Sequence, residues 1–163
     1  MSVKKILFVC LGNICRSPSA EAVMRAKLQE HHLSERYKVD SAGITNYHEG
    51  GPADARMQQH ALRRNYNLSS ISRPVIAPKD FDDFDFIIGM DDQNMRDLKA
   101  LASSKAHLNK LSRLTDYCTQ FSMNNVPDPY YGGAAGFELV LDLLEDACDG
   151  LIKKLEGEQV NKR

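Results

Sequence analysis

The stretch Val9–Val23, VCLGNICRSPSAEAV, decides how the rest of the chain is read. It closes the apolar run KKILFVC and opens a segment with the marks of a helix start. A run such as Lys4–Val9, apolar without alternation, suits a strand buried on both faces, as in parallel sheets. Ser17 stands where it can cap a helix, and Pro18 at the first helical position loses nothing by lacking an N–H. A helix is therefore expected from Pro18 to about His31. A loop that joins a parallel strand to the next helix lies at the carboxyl end of the sheet, where open α/β folds bind ligands. This loop carries a thiol, Cys10, at the strand's end and a guanidinium, Arg16, six positions on.

Working outward, strand-like and helix-like segments alternate, which predicts an α/β fold with a parallel sheet. A second strand is expected at Tyr37–Ser41 and a helix from Pro52 to about Tyr66. A third strand is expected over Phe84–Met90, followed by a helix over Asp92–Ala102. A fourth strand falls within Ala106–Leu114. The polar loop TQFSMNNVPDPYYGGAAG is long for a compact domain, and loops of that length are usually functional or disordered. The last helix is marked by Phe137, Val140, Leu141, Leu144, Cys148, Leu151, Ile152 and Leu155 at helical spacing. The tail GEQVNKR is expected to fray. The acidic run Asp80–Asp85 reads as a short solvated turn anchored by Phe81 and Phe84.

The chain of 163 residues is 42% hydrophobic and 26% charged, which suits one domain, residues 1–163, with a full core. A formal net charge of −1 provides no field for nucleic acid or an acidic membrane. No apolar run is long enough to span a bilayer, and the N-terminal apolar stretch is too short for a signal-peptide core. A cytoplasmic protein is expected. The four cysteines, Cys10, Cys15, Cys118 and Cys148, are then expected as free thiols. His31, His32, His48, His60 and His107 show no ligand spacing, and neither a metal nor a cofactor is expected.

The Cys10–Ser17 loop has the parts of a phosphate cradle. Backbone N–H groups at a helix N-terminus favour an anion, and Arg16 offers a planar fork matched to two phosphate oxygens. Gly12 removes a side chain that would crowd the loop, and Asn13 tolerates a left-handed backbone. A thiol on the floor of such a nest is favoured as thiolate, the form that attacks phosphorus. Ser17 can donate to the sulfur. The reaction this suggests is displacement by sulfur through a phosphocysteine intermediate, with Arg16 and the loop N–H groups stabilising the equatorial oxygens. A strand-end cysteine and a surface arginine unrelated in function remain the plain alternative. Neither G-x-x-x-x-G-K-[ST] nor G-x-G-x-x-G is present.

Such a reaction needs a proton for the leaving oxygen and, later, a base for water; one carboxyl group can serve both steps. Asp128 lies between Pro127 and Pro129 in PDPYYGG, with its backbone restricted on both sides. A simple turn is the alternative reading. Tyr130 and Tyr131 suit an aromatic wall against a phenyl ring.

These segments together resemble the low-molecular-weight protein tyrosine phosphatases. The resemblance rests on FVCLGNICRSPSAEAV, the DSAG turn, FDFIIGMDDQN, and VPDPYYGG before a long terminal helix, and covers nearly the whole chain in the family's order. It implies a four-stranded parallel sheet flanked by helices. It implies Cys10 as nucleophile, Arg16 as phosphate binder and Asp128 as general acid and then base. Asn13, Ser17 and Ser41 match positions that hold the loop in shape, and Cys15 a cysteine that can pair reversibly with the nucleophile. Phosphotyrosine proteins are the implied substrates. Leu11, Ile14, Tyr47 and Tyr130 would line the groove for the phenyl ring. Ile14 matches the bulky residue of tyrosine phosphatases, where arginine phosphatases carry threonine. The position that relatives often fill with histidine, just ahead of Arg73, is Ser70 here.

Two rival readings make different demands on the sequence. A thioredoxin-coupled arsenate reductase on this fold would need further cysteines near the third strand, and FDFIIGMDDQNMRDLKA has none. A noncatalytic phosphate-binding module would not need Asp128, Pro129 and the tyrosines beside the thiol.

Overall fold

The computed structural model describes residues 2–130 and 132–161, with side chains described through residue 157. Its centre is β1, Lys4–Cys10, whose residues Ile6 to Cys10 are all buried. Alternation along the strand divides the core. Ile6, Phe8 and Cys10 join the larger cluster, with Val23, Met24, Val140 and Leu144. Leu7 and Val9 join the other, with Phe81, Phe84, Ile87 and Leu98. Both faces of the sheet are covered, as parallel strands require.

The four strands are β1, β2 (Tyr37–Gly43), β3 (Phe86–Gly89) and β4 (Leu111–Arg113). They are all parallel, in the order β2-β1-β3-β4. From β1 the chain passes through α1 (Arg16–Glu30) to β2 on one side, and later returns to β3 on the other. The direction of winding reverses at β1, which opens a crevice at the carboxyl ends of the strands. The loop after β1 lies there.

Several boundaries differ from expectation, each for a local reason. α1 begins at Arg16 rather than Pro18, and its N-cap is Cys15, with no side-chain cap bond. Ser17 is not the cap; its hydroxyl is committed elsewhere, as described below. β2 runs two residues further, because Ala42 and Gly43 still pair with Val9 and Cys10. α2 spans only Ala55–Leu62: the Asp54 carboxylate accepts from the Arg56 and Met57 N–H groups and starts it there. It ends in a turn with Asn65 at φ 68°, where the Tyr66 N–H returns to the Ala61 carbonyl. β3 is shorter than expected, because Phe84 closes a short helix, α3 (Lys79–Asp83). That helix replaces the expected solvated turn. Phe81 and Phe84 do anchor it, but Asp80 is buried, where it accepts from Arg73 and from the Ile76 N–H.

After β3, α4 covers Asp92–Leu101, with Asp91 and Asn94 exchanging side-chain and backbone bonds as a capping box. A one-turn helix, α5 (Lys105–Leu108), occupies the start of the segment expected to hold β4. A 3-10 turn, Leu114–Tyr117, leads out of β4. The last helix, α6, spans Ala134–Asn161. All eight of its expected apolar-face residues are buried. The expected fraying does not begin at Gly157, since the helix continues to Asn161; Lys162 and Arg163 lie outside the described residues. No helix among the described residues is long and apolar enough to cross a membrane.

Candidate active site

Cys10 ends β1 with its sulfur buried and 3.0 Å from the Ser17 hydroxyl oxygen. The loop then turns through Asn13, whose backbone is left-handed at φ 57°. Asparagine is among the few residues that adopt this conformation readily. Its side chain works in three directions. The amide nitrogen donates to the Ser17 hydroxyl at 2.8 Å and to the Ser41 hydroxyl at 3.0 Å, and the amide oxygen accepts from the Arg73 N–H at 3.0 Å. Ser41 in turn donates to the buried Glu21 carboxylate at 2.6 Å, and Glu21 pairs with Arg25. A chain of hydrogen bonds thus runs from the sulfur to a buried carboxylate.

Four of the loop's carbonyls are held from outside it. Cys10 accepts from the Ile44 N–H, Leu11 from the Thr45 N–H, Gly12 from the Ser72 hydroxyl, and Ile14 from the Asp54 N–H, at 2.8–3.1 Å. With four carbonyls engaged on the outside, the loop's N–H groups are left for the inner side, the arrangement of a concave anion nest. The uncapped first turn of α1 adds more. Gly43 permits this closeness: a Cβ there would lie 3.0 Å from the Gly12 carbonyl carbon and the Leu11 oxygen.

Arg16 is 3% exposed at its side chain, which faces the Asp91 carboxylate at 2.6 Å. The same nitrogen donates to the Val126 carbonyl at 3.0 Å. Burial works against the arginine's charge, but Cys10, Asp91 and Asp128 more than offset it, and the guanidinium is held charged more firmly than usual. Its other terminal nitrogen lies 3.6 Å from the Asp128 carboxylate. Asp128 is 40% exposed, and its other oxygen accepts from the Tyr130 N–H at 3.0 Å. Cys15, beside Arg16 in the loop, is held as the neutral thiol. Burial pushes it far up, Asp54, Cys10 and Asp128 push it further, and only Arg56 draws it back.

These groups surround a cavity of about 260 Å³ lined by Cys10, Leu11, Gly12, Ile14, Cys15, Arg16, Thr45, Tyr47, His48, Asp128 and Tyr130. Nine of the residues expected from sequence therefore meet at one opening. Asn13 and Ser17, parts of the expected phosphate cradle, are absent from this lining; their side chains lie behind the loop and brace it. Tyr47 stands at the rim, 81% exposed. Tyr131 lies outside the described residues. Sequence reasoning missed Thr45, His48, Asp91, Glu21, Asp54, Ser72 and Arg73. Ser72 and the Arg73 backbone reach the loop from the segment ahead of α3. Arg73 is fixed for this by ion pairs to Asp40 and Asp80.

The pattern has counterparts in known proteins. Residues 5–161 match the model of the family described as low molecular weight phosphotyrosine protein phosphatase. The chain is 45% identical to a low molecular weight protein-tyrosine-phosphatase of Synechocystis, with 96% of this chain and 99% of that one covered. It is 38% identical to the low molecular weight protein-tyrosine-phosphatase YfkJ of Bacillus subtilis, covering 94% of this chain and 97% of that one. A crystal structure of a protein tyrosine phosphatase from Entamoeba histolytica superimposes with a TM-score of 0.93 at 51% identity, covering 96% of this chain and 99% of that one. By sequence and by fold, the chain belongs to the low molecular weight phosphotyrosine protein phosphatase family.

Proposed function

We propose that the protein hydrolyses phosphotyrosine in proteins, and aryl phosphates generally, through a phosphocysteine intermediate formed on Cys10. The observation that carries this reading is the shared cavity, in which a buried thiol, a charged guanidinium and a half-exposed carboxyl group converge from β1, α1 and a loop over a hundred residues away. Phosphate oxygens lie on the loop N–H groups and on Arg16. Sulfur attacks phosphorus as the ester oxygen leaves, and Asp128 gives that oxygen its proton. Water then attacks the phosphocysteine, Asp128 takes the water's proton, and the thiolate and inorganic phosphate are restored. Ser17, 3.0 Å from the sulfur, donates to it when it leaves. Asp91 and Val126 hold Arg16 so that its second nitrogen stays available. A reducing, cytoplasmic setting suits this chemistry, which needs a free thiol, and all four cysteines are free.

Leu11, Ile14, Tyr47 and Tyr130 form the apolar part of the opening and suit a phenyl ring. The test is a side-by-side assay of phosphotyrosine, phosphoserine and phosphoarginine peptides. Preference for phosphotyrosine is expected. Equal turnover of phosphoserine, or preference for phosphoarginine, would overturn the assignment.

A further inference from the structure

Among the described residues, the acid loop is fixed on each side of Asp128. Upstream, the Val126 N–H donates to the Met90 carbonyl at 2.8 Å, and the Val126 carbonyl accepts from Arg16. Downstream, the fixed point is the ring of Tyr130, whose centroid lies 5.2 Å from the Arg56 guanidinium carbon. The same guanidinium lies 5.1 Å from the centroid of Phe137, and Phe137 stacks on His60 at 5.2 Å with the planes 10° apart. Arg56 therefore joins the acid loop to the buried face of α6. It is held in orientation by Asp54, which accepts from Nε at 3.2 Å and Nη2 at 3.0 Å.

Asp54 also donates its backbone N–H to the Ile14 carbonyl of the phosphate loop, at 2.8 Å. One three-residue segment thus touches both loops, the phosphate loop through Asp54 and the acid loop through Arg56. Tyr130 transmits its position directly, because its N–H donates to the Asp128 carboxylate. A planar guanidinium against an aromatic face is an orienting contact.

We propose that Arg56 is a positioning residue of the reaction: through Tyr130 it sets where the Asp128 carboxyl group stands relative to the phosphate loop. This rests on the reading of Asp128 as the acid. The Arg56 side chain is 49% exposed, so substitutions there leave the fold standing.

The test compares kcat/KM for phenyl phosphate, a poor leaving group, with para-nitrophenyl phosphate, a better one, in Arg56→Gln, Arg56→Lys, Asp128→Asn and the Arg56→Gln/Asp128→Asn double variant. Arg56→Gln is expected to lower the phenyl value about fivefold to tenfold and the nitrophenyl value less than about twofold, with Arg56→Lys between it and the parent. Inhibition by inorganic phosphate should stay within about twofold, because the anion nest is untouched. The double variant should match Asp128→Asn alone, since Arg56 acts through that carboxyl group. Equal losses on both esters in Arg56→Gln, or a double variant that multiplies the single losses, would overturn the proposal while leaving Asp128 as the acid. Equal losses on both esters in Asp128→Asn would instead remove the acid assignment, and this proposal with it.

Discussion

The two loops that make the site are built differently. The phosphate loop, 10–15, is almost continuously braced: four of its carbonyls are held from outside, Asn13 has three partners, and Cys10 and Cys15 are buried. The acid loop, 126–130, is held at its ends, at Val126 and Tyr130, while Asp128 between them is 40% exposed. The difference follows from the two tasks. Donors aimed at a phosphoryl group lower the barrier only if they need no rearrangement during reaction. A carboxyl group that first gives and then takes a proton must meet both substrate and water. The phosphate loop is therefore a fixed mould and the acid loop a positioned but accessible arm.

That contrast can be broken by substitution. Cys10→Ser removes the nucleophile from an otherwise intact mould; turnover should fall by at least about 10⁴-fold while inorganic phosphate still binds. Turnover near the parent value would reject sulfur as the attacking atom. Asp128→Asn should lower kcat/KM for phenyl phosphate by about 10²-fold and for para-nitrophenyl phosphate clearly less. Ser72→Ala removes the hydroxyl that holds the Gly12 carbonyl, a bond worth about 1 kcal/mol, and loosens the mould itself. Its loss of about fivefold should be the same for both esters and should weaken phosphate inhibition alongside. A leaving-group-dependent loss there would contradict the division of labour between the loops.

The smallest effect expected lies in the bracing chain. Burial pushes the Glu21 carboxyl group up, with Ser41 and Arg25 pulling it partly back. The folded protein therefore holds this proton more tightly than the unfolded chain. Between the ordinary glutamate range and the raised value, stability falls as pH rises. Glu21→Gln should flatten that slope by up to about one proton, read from melting temperature against pH. An unchanged slope would mean that Glu21 titrates as it does in the unfolded chain.

Much of this was legible beforehand because the mould is contiguous. Cys10, Gly12, Asn13 and Arg16 lie within one strand-to-helix connection, and hydrophobic pattern alone places that connection at the sheet's carboxyl end. Chemical need and the restricted PDP segment single out Asp128. The misses share a physical cause. Asp91 reads as a helix start and is one, but only the sheet order, with β3 beside β1, puts its carboxylate on Arg16. Ser72, Arg73, Asp54 and Arg56 reach the site from irregular segments, or from a helix that ends early, and no periodicity marks such positions. Ser17 reads as a cap because capping preference cannot register that its hydroxyl is already shared by a thiol and an amide.

The central claim is the bond between sulfur and phosphorus. It is tested most directly by rapid acid quench of Asp128→Asn turning over para-nitrophenyl phosphate, followed by peptide mass spectrometry. In this variant the second step lacks its base, so the intermediate accumulates. The account predicts one phosphoryl group on the peptide that contains Cys10, localised to that residue. A phosphoryl group on another residue, or none on any peptide during turnover, would contradict it.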